Sequence, residues 1–239
     1  MTPLRKTALV AGVIYLLTFV SIPTLALYVP VHDPNYILGP GPDNGVFFGG
    51  ILEVIVALAG VGTAVALYPV LKRQNEGVAL GLVGARVLEA ATIFAGVAFL
   101  LSVVTLRQAG AGAGALVTGQ TLAILYDRIF LLSQSLMPVV DDLLLGFLLY
   151  QSRLVPRVLP LLGFIGAALL VASDIAVVFS LWERTSTPAA LAALPVAVFE
   201  FSLGVWLVVK GFKPSPILSS DTRDASAAAA TNAFASRRP

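Results

Sequence analysis

Seven carboxylic acids lie inside stretches of sequence that are otherwise apolar, where a carboxyl group can take up and release protons or attract a cation. A charge at the centre of a bilayer costs about 2.5–3.5 kcal/mol, so seven acids facing lipid would cost on the order of 20 kcal/mol. We therefore expect these groups to face one another, to face water or to carry protons. They are Glu53, Glu89, Asp127, Asp141, Asp142, Asp174 and Glu200.

Two arginines, Arg86 and Arg128, share these apolar stretches and cannot neutralise seven acids. Some of the carboxyls are therefore expected to be protonated at neutral pH. Arg86 and Glu89 are three residues apart, which makes them neighbours on a helix surface. Arg86 is also a candidate partner for Glu53 or Glu200 on another helix. Such a pair is either an ion-pair lock that fixes helix register or the internal counter-charge of a binding site.

The composition places these residues in a membrane protein. Hydrophobic residues make up 58% of the chain and charged residues 12%, against roughly 25% charged residues in soluble domains. The mean hydropathy is +0.93. A hydrocarbon core of about 30 Å needs about 20 helical residues. Windows of this length predict an all-α bundle of six transmembrane helices, at residues 7–29, 46–71, 78–106, 121–150, 158–182 and 189–209.

Basic residues between the windows predict how the bundle is oriented. If the N-terminus is inside, Arg107 and Arg184 are outside and eleven basic residues are inside. This bias predicts two cytoplasmic termini. It also predicts contact of the basic loops with anionic lipid headgroups rather than with nucleic acid. The inside residues are Arg5, Lys6, Lys72, Arg73, Arg153, Arg157, Lys210, Lys213, Arg223, Arg237 and Arg238.

The segments outside the windows predict little chemistry. We expect residues 1–213 to form the transmembrane domain and residues 214–239, rich in Ser and Ala, to form a disordered cytoplasmic tail. The single histidine, His32, is expected to be a solvated residue of an outer loop, because no second imidazole exists to share a metal. There are no cysteines. We therefore expect neither a metal site nor a cofactor.

Four of the acids lie on stripes of small residues, and such stripes are where membrane helices approach closely. We expect these acids to point at neighbouring helices. The same glycine-rich faces leave oligomerisation open. Tyrosine and tryptophan near the span ends are expected at the membrane interfaces. The stripes are Gly49–Glu53–Ala57–Gly60–Ala64, Gly81–Ala85–Glu89–Thr92–Gly96, Gly163–Ala167–Asp174 and Ala193–Ala197–Glu200–Gly204; the interface residues are Tyr28, Tyr68, Tyr126, Tyr150, Trp182 and Trp206.

The fourth window carries two adjacent polar stripes with a spacing of seven residues. Pro138 has no N–H to donate and predicts a kink or break just before Asp141 and Asp142. Broken helices beside paired acids are typical of transporter ion sites. The alternative is a kinked packing helix near the cytoplasmic interface, with both aspartates hydrated. The stripes are Asp127, Gln134, Asp141 and Arg128, Ser135, Asp142.

Four segments together resemble a known family. They are LYPVLKRQ from Leu67, ARVLEA from Ala85, LLYQSRLVPRVLPLLG from Leu148 and FEFSLGVWLVVKGF from Phe199. They are similar to the bacterial membrane proteins grouped as domain of unknown function 4386, over about residues 4–213. The resemblance implies a six-helix bacterial inner-membrane protein and supplies no activity. Its signature positions correspond to Tyr150, Ser152, Pro156, Arg157, Glu200, Trp206, Lys210 and Gly211.

Two functions remain open. The first is a small transporter or proton-linked permease for an ion or small molecule, with Glu53, Glu89, Asp174 and Glu200 around a midplane cavity and Arg86 as counter-charge. Asp141 is a further ion-binding candidate, and the secondary candidates are Asp127, Arg128, Gln134 and Asp142. The second is a non-catalytic membrane sensor, assembly or scaffold protein whose charges lock helix packing. We do not expect an enzyme, because a nucleophile elbow, cysteine and a carboxylate–histidine metal set are all lacking.

Overall fold

Six segments of the computed structural model, which describes residues 1–218, are helical, apolar and long enough to cross a membrane. No strand occurs in these residues. The predicted all-α bundle of six membrane-spanning helices is therefore confirmed, and each predicted window overlaps one segment. The segments are Pro3–Leu27, Asn44–Leu71, Glu76–Gln108, Ala113–Ser152, Val158–Val178 and Thr187–Val209.

Two of these spans each contain two α-helices, which a 3₁₀ turn separates in the first span and a π-helical turn joins in the fourth. The six spans therefore contain eight α-helices in the described part of the chain. Caps define some of the ends: the Thr2 side chain accepts a hydrogen bond from the backbone N–H of Arg5, and that of Asn75 accepts one from Val78. The helices are α1 (Pro3–Leu17), α2 (Thr24–Leu27), α3 (Asn44–Leu71), α4 (Glu76–Gln108), α5 (Leu116–Phe130), α6 (Met137–Ser152), α7 (Val158–Val178) and α8 (Thr187–Val209).

The spans form a closed ring that follows the order of the chain. α1 packs on α3, α3 on α4, and α4 on α5 and α6. The ring continues from α6 through α7 to α8 and closes where α8 packs on α1. In this order α4 lies opposite α8, and α1 lies opposite the span formed by α5 and α6. We call the end of the ring that holds Pro3 the N-terminal face and the other end the far face.

Glycine allows the ring to close tightly between α1 and α8. A Cβ atom added to Gly12 would lie 2.8 Å from the backbone oxygen of Gly204, closer than real Cβ atoms come to other heavy atoms. A Cβ atom on Gly204 would lie 2.8 Å from a methyl group of Leu16. The predicted small-residue face of the last span therefore includes a close helix contact, as expected for membrane helices.

The other small-residue stripes are buried to different extents. The stripe from Gly49 to Ala64 is buried throughout, as are the small residues and the aspartate of the α7 stripe. On α4, Glu89 and Gly96 are buried, but Gly81 is exposed. Each step of four residues turns a helix about 40° beyond a full turn, so two steps carry Gly81 about 80° away from the face of Glu89. The prediction for that position is wrong.

The first span is broken between α1 and α2. A 3₁₀ turn occupies Thr18–Ser21, and Pro23 comes directly before α2. Hydroxyl groups satisfy carbonyls near the break: the Thr18 hydroxyl donates to the Tyr15 carbonyl at 2.7 Å, and the Thr24 hydroxyl donates to the Ser21 carbonyl at 2.6 Å. Irregular backbone at membrane depth is stable where it lies inside protein or lines a cavity.

The fourth span is continuous but irregular. Residues Leu131–Leu136 form a π-helical turn between α5 and α6, and Pro138 lies in the first turn of α6. The sequence predicted a kink or break at Pro138; the span instead continues as helix, with a π-helical turn just before the proline, a form that is frequent at functional sites. This span has 40 residues, about 60 Å if fully helical and twice the thickness of the hydrocarbon core. Part of α5 therefore extends beyond the membrane at the far face.

Apolar layers close the two ends of the ring to different degrees. At the N-terminal face, seventeen buried residues pack into one continuous cluster, with leucines such as Leu67, Leu145 and Leu207. They come from every span except α7, and from the connection between α6 and α7. At the far face, residues of the loop between α2 and α3 pack on α3, α4 and α5. Arg107 holds this loop by donating hydrogen bonds to the carboxylate of Asp43 and to the Gly39 carbonyl. These bonds from Arg107 lower the pKa of Asp43 to about 2.

The chain continues to contact the bundle after the predicted domain boundary at residue 213. The Ser215 hydroxyl donates to the Ser152 carbonyl, and Ile217 and Leu218 pack against the apolar layer of the N-terminal face. The rest of the predicted disordered tail, residues 219–239, lies outside the described residues. Disorder there stays a prediction.

The orientation of the ring in the membrane is testable with reporter fusions. We expect reporters after Asn75, after Arg157 and at the C-terminus to report cytoplasm, because the basic residues cluster at that face. Reporters at Gly41, Gly112 and Thr187 should report the opposite side. A cytoplasmic signal at Gly112 would contradict the crossing of the third span.

Candidate functional site

Arg86 of α4 is the centre of a buried group of charged residues. Its Nη1 lies 2.9 Å from Oε2 of Glu89, on the same helix. Its Nε lies 3.2 Å from Oδ2 of Asp141, and its Nη2 lies 3.2 Å from Oε1 of Glu200. Within residues 1–218 no other cation forms an ion pair with these carboxylates. We call Arg86, Glu89, Asp141 and Glu200 the central cluster.

The central cluster lies deep in the bundle and connects opposite sides of the ring. Arg86 is ten residues from the start of α4, or about 15 Å, and Glu200 is nine residues from the end of α8, or about 14 Å. Both distances are about half of a 30 Å hydrocarbon core. Because α4 and α8 lie opposite each other, the Arg86–Glu200 ion pair connects them across the centre. Of the two cross-bundle partners expected for Arg86, Glu200 is the one that pairs.

Tyr15 adds the first span to this arrangement. Its hydroxyl donates a 3.0 Å hydrogen bond to Oε1 of Glu200. The guanidinium carbon of Arg86 lies 5.8 Å from the centre of the Tyr15 ring, within the range of a cation–π interaction. Four spans therefore contribute to the central cluster and its contacts. Tyr15 was not among the candidate residues predicted from the sequence. It lies three residues after Gly12, on the face of α1 that packs against α8.

Asp142 lies beside the cluster and is fully buried. Its side chain has 0% exposure, and neither carboxyl oxygen accepts a hydrogen bond from the described residues. Arg86 and Glu200 are among the charges that act on it most strongly. Asp141 is equally buried, and its contact with Arg86 is an ion pair without hydrogen-bond geometry. The burial of both aspartates argues against the hydrated, interfacial alternative.

A cavity of about 220 Å³ reaches the central cluster. Arg86, Glu89 and Glu200 line it, together with Gln134 and Pro138 of the fourth span. Residues of the break in the first span, from Thr18 to Leu25, form the opposite part of its wall. We call it the central cavity. The irregular backbone of both disturbed spans therefore borders the same polar cavity, which contains three members of the central cluster.

Glu53 lies outside the central cluster. The Tyr126 hydroxyl donates to its Oε1 at 2.6 Å, and the Gln134 side-chain amide donates to the same oxygen at 3.2 Å. Glu53 is 0% exposed, and the expected alternative pairing with Arg86 does not form. Tyr126 is 2% exposed, and its ring lies within the bundle, where it stabilises a buried acid. Its predicted depth, at a membrane interface, stays a prediction.

Asp174 also lies apart from the cluster. The Ser135 hydroxyl donates a 2.6 Å hydrogen bond to its Oδ1. The structure therefore does not place Asp174 around the cavity that contains Glu89 and Glu200. Its hydrogen bond joins α7 to the π-helical turn of the fourth span.

The two polar stripes of the fourth span serve separate sites. Gln134 and Ser135, both in the π-helical turn, bind Glu53 and Asp174, whereas Asp141 binds Arg86. A π-helical turn adds residues per turn, so the seven-residue spacing does not keep one face across it. The single polar face expected from the spacing is therefore divided among three sites. Arg128 is exposed and takes no part in them.

Asp127 lies at the far face, beside a second cavity. It is 25 residues from the end of α6, about 37 Å of helix, which exceeds the thickness of the hydrocarbon core. Its side chain is 37% exposed. Asp127 Oδ1 accepts a 2.8 Å bond from Arg184 and lies 3.3 Å from Nε2 of His32. Asp127 is thus the most exposed of the seven acids.

His32 is not simply a solvated loop residue, as the sequence argument expected. Nδ1 lies 2.7 Å from the Tyr28 carbonyl, while Nε2 faces Asp127. Its side chain is 30% exposed. The hydrogen bond with Asp127 raises the pKa of His32, while burial and Arg184 oppose that shift. The sequence places these two residues 95 positions apart, so no local spacing could have predicted the contact.

The cavity at Asp127 has a volume of about 710 Å³. It lies between the end of the first span, α5 and the connection from α7 to α8. Thr24, Leu25 and Phe130 line both this cavity and the central cavity. We call it the far-face cavity. The far-face cavity and the central cavity are thus neighbours that share three wall residues, while the apolar layer of the N-terminal face lies on the other side of the central cluster.

A comparison with protein-family models covers most of the chain. Residues 10–211 match the model described as "Domain of unknown function (DUF4386)". The chain belongs to this family. The match includes the whole ring from α3 to α8 and most of α1, and therefore both cavities. No curated protein and no solved structure matches the chain.

Two of the segments that resemble DUF4386, those that begin at Leu148 and Phe199, can now be placed in the fold. The segment from Leu148 contains the end of α6 and the start of α7, at the N-terminal face. The segment from Phe199 contains Glu200 of the central cluster and Trp206, whose helix ends near the same face. Of the eight positions named for the resemblance, Glu200 is the one that lines the central cavity. The family description itself names no activity.

The site's electrostatics can be tested through Arg86. We expect Arg86→Met to lower the free energy of unfolding by ~3–5 kcal/mol at neutral pH, because it leaves buried carboxylates without their cation. Neutralising the partners in the same chain, with Glu89→Gln, Asp141→Asn and Glu200→Gln, should recover most of this loss. Thermal unfolding in detergent measures both effects. Arg128→Met is the matched control and should have little effect, since Arg128 is exposed. A combined variant no more stable than Arg86→Met would contradict the ion-pair network.

The pairing of His32 with Asp127 has a pH signature. Since the folded-state pKa of His32 is raised above 6.5, its contribution to stability is present at low pH and is lost as the pH rises through the raised value. The chain has one histidine, so a single imidazole NMR signal reports its titration. We expect Asp127→Asn to lower the titration midpoint. A midpoint that does not change in this variant would show that Asp127 does not act on His32.

Proposed function

We propose that this protein is a proton-linked permease of the bacterial inner membrane, in which the central cluster binds either protons or a substrate cation. The observation that carries the proposal is the central cavity, because it exposes Arg86, Glu89 and Glu200 to a polar space at the middle of the bundle. An ion-pair lock alone has no need of such a space. The expectation that the protein is not an enzyme is part of the same proposal.

The charge balance of the cluster supports proton binding. Three carboxylates share one guanidinium, and Asp142 adds a fourth acid nearby. Two carboxylates about 4 Å apart repel by roughly 4 kcal/mol at an effective dielectric constant of 20. Full ionisation would leave a net negative charge near the midplane, which is costly. Protons or an added cation relieve this repulsion, so the same carboxylates can hold one or the other.

Arg86 gives the central cluster a way to exchange protons for a cation. Its guanidinium occupies the space between the carboxylates, where a cation entering from the central cavity would also be attracted. When such a cation approaches the central cluster, protons held there are released, because the added positive charge favours ionised carboxyl groups. When the cation leaves, protons return. Exchange of this kind couples the movement of a substrate to a proton gradient.

The two disturbed spans supply a means of changing access. The 3₁₀ break in the first span and the π-helical turn in the fourth both line the central cavity. Discontinuous helices at a midplane site are typical of secondary transporters, in which one part of the bundle moves against another. The far-face cavity lies towards one end of the bundle, and the leucine-rich layer covers the N-terminal face. In our proposal, transport needs these two spans to move so that this layer opens.

The two other buried acids are assigned structural roles. Glu53 is held by Tyr126 and Gln134, and Asp174 by Ser135, without an ion pair in either case. Neither lines the central cavity. They differ from Glu89 and Glu200 in this respect and serve as internal controls. A scaffold function, in which every buried charge only fixes helix packing, predicts no such difference.

Flux measurements test the proposal. In reconstituted vesicles with a trapped pH-sensitive dye, we expect the wild type to move protons when a cation gradient is imposed. Glu89→Gln and Glu200→Gln should each abolish this flux, and each single variant should still fold, because two carboxylates remain paired with Arg86. Asp174→Asn, the matched control, should keep it. Absence of flux in the wild type under proton and cation gradients would favour the scaffold function, and flux in Glu200→Gln would exclude Glu200 as a proton carrier.

A further inference from the structure

The far-face cavity has the size and wall chemistry of a ligand site. Its volume of about 710 Å³ lies within the range of roughly 300–1,000 Å³ found for small-molecule pockets. Aromatic rings and charged groups line it together, including Tyr28, Phe130, Trp182 and Asp127. A pocket that combines apolar walls with a few polar groups favours a ligand that has both kinds of surface.

Arg184 already occupies a cation site in this cavity. Its Nη2 lies 2.8 Å from Oδ1 of Asp127, and its guanidinium carbon lies 4.3 Å from the centre of the Phe130 ring. A carboxylate combined with the face of an aromatic ring is the chemistry that recognises organic cations. Arg184 is thus an internal occupant of a site that an external cation fits.

The position of Arg184 allows it to be displaced. It lies in the connection between α7 and α8 rather than in a helix, and its side chain is 23% exposed. Exposed ion pairs contribute little to stability, so breaking the contact with Asp127 is inexpensive. A displaced Arg184 side chain can extend into water. A cation with apolar groups gains more from the aromatic walls than the guanidinium does, because it removes more apolar surface from water.

The central cluster repeats this chemistry deeper in the bundle. There Arg86 binds carboxylates and lies 5.8 Å from the Tyr15 ring. Phe130, whose ring contacts Arg184, also lines the central cavity. The same combination of acid, aromatic ring and tethered guanidinium therefore occurs at both sites, in a cavity of about 710 Å³ at the far face and in one of about 220 Å³ at the centre.

We infer that the far-face cavity binds an organic cation that carries apolar groups, such as a substituted ammonium or phosphonium ion, by displacing Arg184 from Asp127 and Phe130. This inference rests on the proposed function for the role of that cation as the transported substrate, although binding itself is independent of transport. The wall also contains Arg128 and His32, so the choice of a cation rests on the contacts of Arg184 with Phe130 and Asp127, which an anion cannot replace.

Binding to the intact protein in detergent tests the inference. Trp182 lines the cavity, and Trp206 is the other tryptophan of the chain, so Trp206→Phe leaves one fluorescent reporter. The probe is tetraphenylphosphonium, and tetraphenylborate is the ion of matched size and opposite charge. We expect saturable quenching by the phosphonium ion and weaker or unsaturable quenching by the borate ion. Equal binding of the two ions would overturn the inference.

Variants separate a specific site from general apolar binding. Asp127→Asn and Phe130→Ala should each weaken phosphonium binding by about tenfold. Arg184→Ala should strengthen it, because it removes the competing guanidinium. Glu183→Gln is the control: Glu183 lines the same cavity but does not pair with Arg184, so affinity should change little. Loss of affinity in Arg184→Ala would overturn the inference, and this arm remains decisive if Asp127→Asn does not fold.

The outcomes for binding and for transport are distinguishable. Phosphonium binding that follows these variants, without proton flux in vesicles, would support the cation site and contradict the permease proposal. Proton flux that depends on Glu89 and Glu200, without phosphonium binding, would support the permease and reject the organic cation. Phosphonium ions that both bind and drive proton flux support the two together.

Discussion

The structure depends on one positive charge, that of Arg86, being shared among three carboxylates at the centre of a closed ring. Without this guanidinium, Glu89, Asp141 and Glu200 would be buried acids with no cation, on three different helices. With it, the opposite members α4 and α8 are joined at mid-depth, where lipid-facing side chains provide no specific contact. Arg86 attracts all three carboxylates but carries only one positive charge, so it cannot neutralise them all. In the proposed function, this deficit of positive charge is what allows the same contact to bind protons.

The irregular parts of the backbone are concentrated around this charge. A broken first span and a π-helical turn in the fourth face each other across the central cavity, while the other spans are regular. Hydroxyl groups of Thr18 and Thr24 satisfy carbonyls beside the first break. Side-chain hydroxyl groups thus satisfy backbone carbonyls beside the irregular first span, and both irregular segments line the central cavity. On the N-terminal side, the leucine-rich layer keeps the same centre away from water.

The sequence was sufficient for the fold but only in part for the site. Long apolar windows predict spans well, because hydrocarbon thickness imposes their length. The Arg86–Glu89 pair was predictable because it is local, and Glu200 was one of two candidates for the contact across the ring. The separation of Glu53 and Asp174 from the cluster was not predictable, because a π-helical turn changes which residues share a face. The contacts of His32 and Arg184 with Asp127 depend on how loops cross the far face, which periodicity does not encode.

The order of the ring has a consequence for how the protein assembles during membrane insertion. Each neighbouring pair of spans is also consecutive in the chain, except for α1 and α8, which meet last. Contacts between consecutive spans can form as each one enters the bilayer, since they close only short loops. Glu200 arrives with the final span. Until then Arg86 lacks its partner across the ring. The charge network is therefore complete only when α8 packs on α1 and closes the ring, which is the last step of insertion.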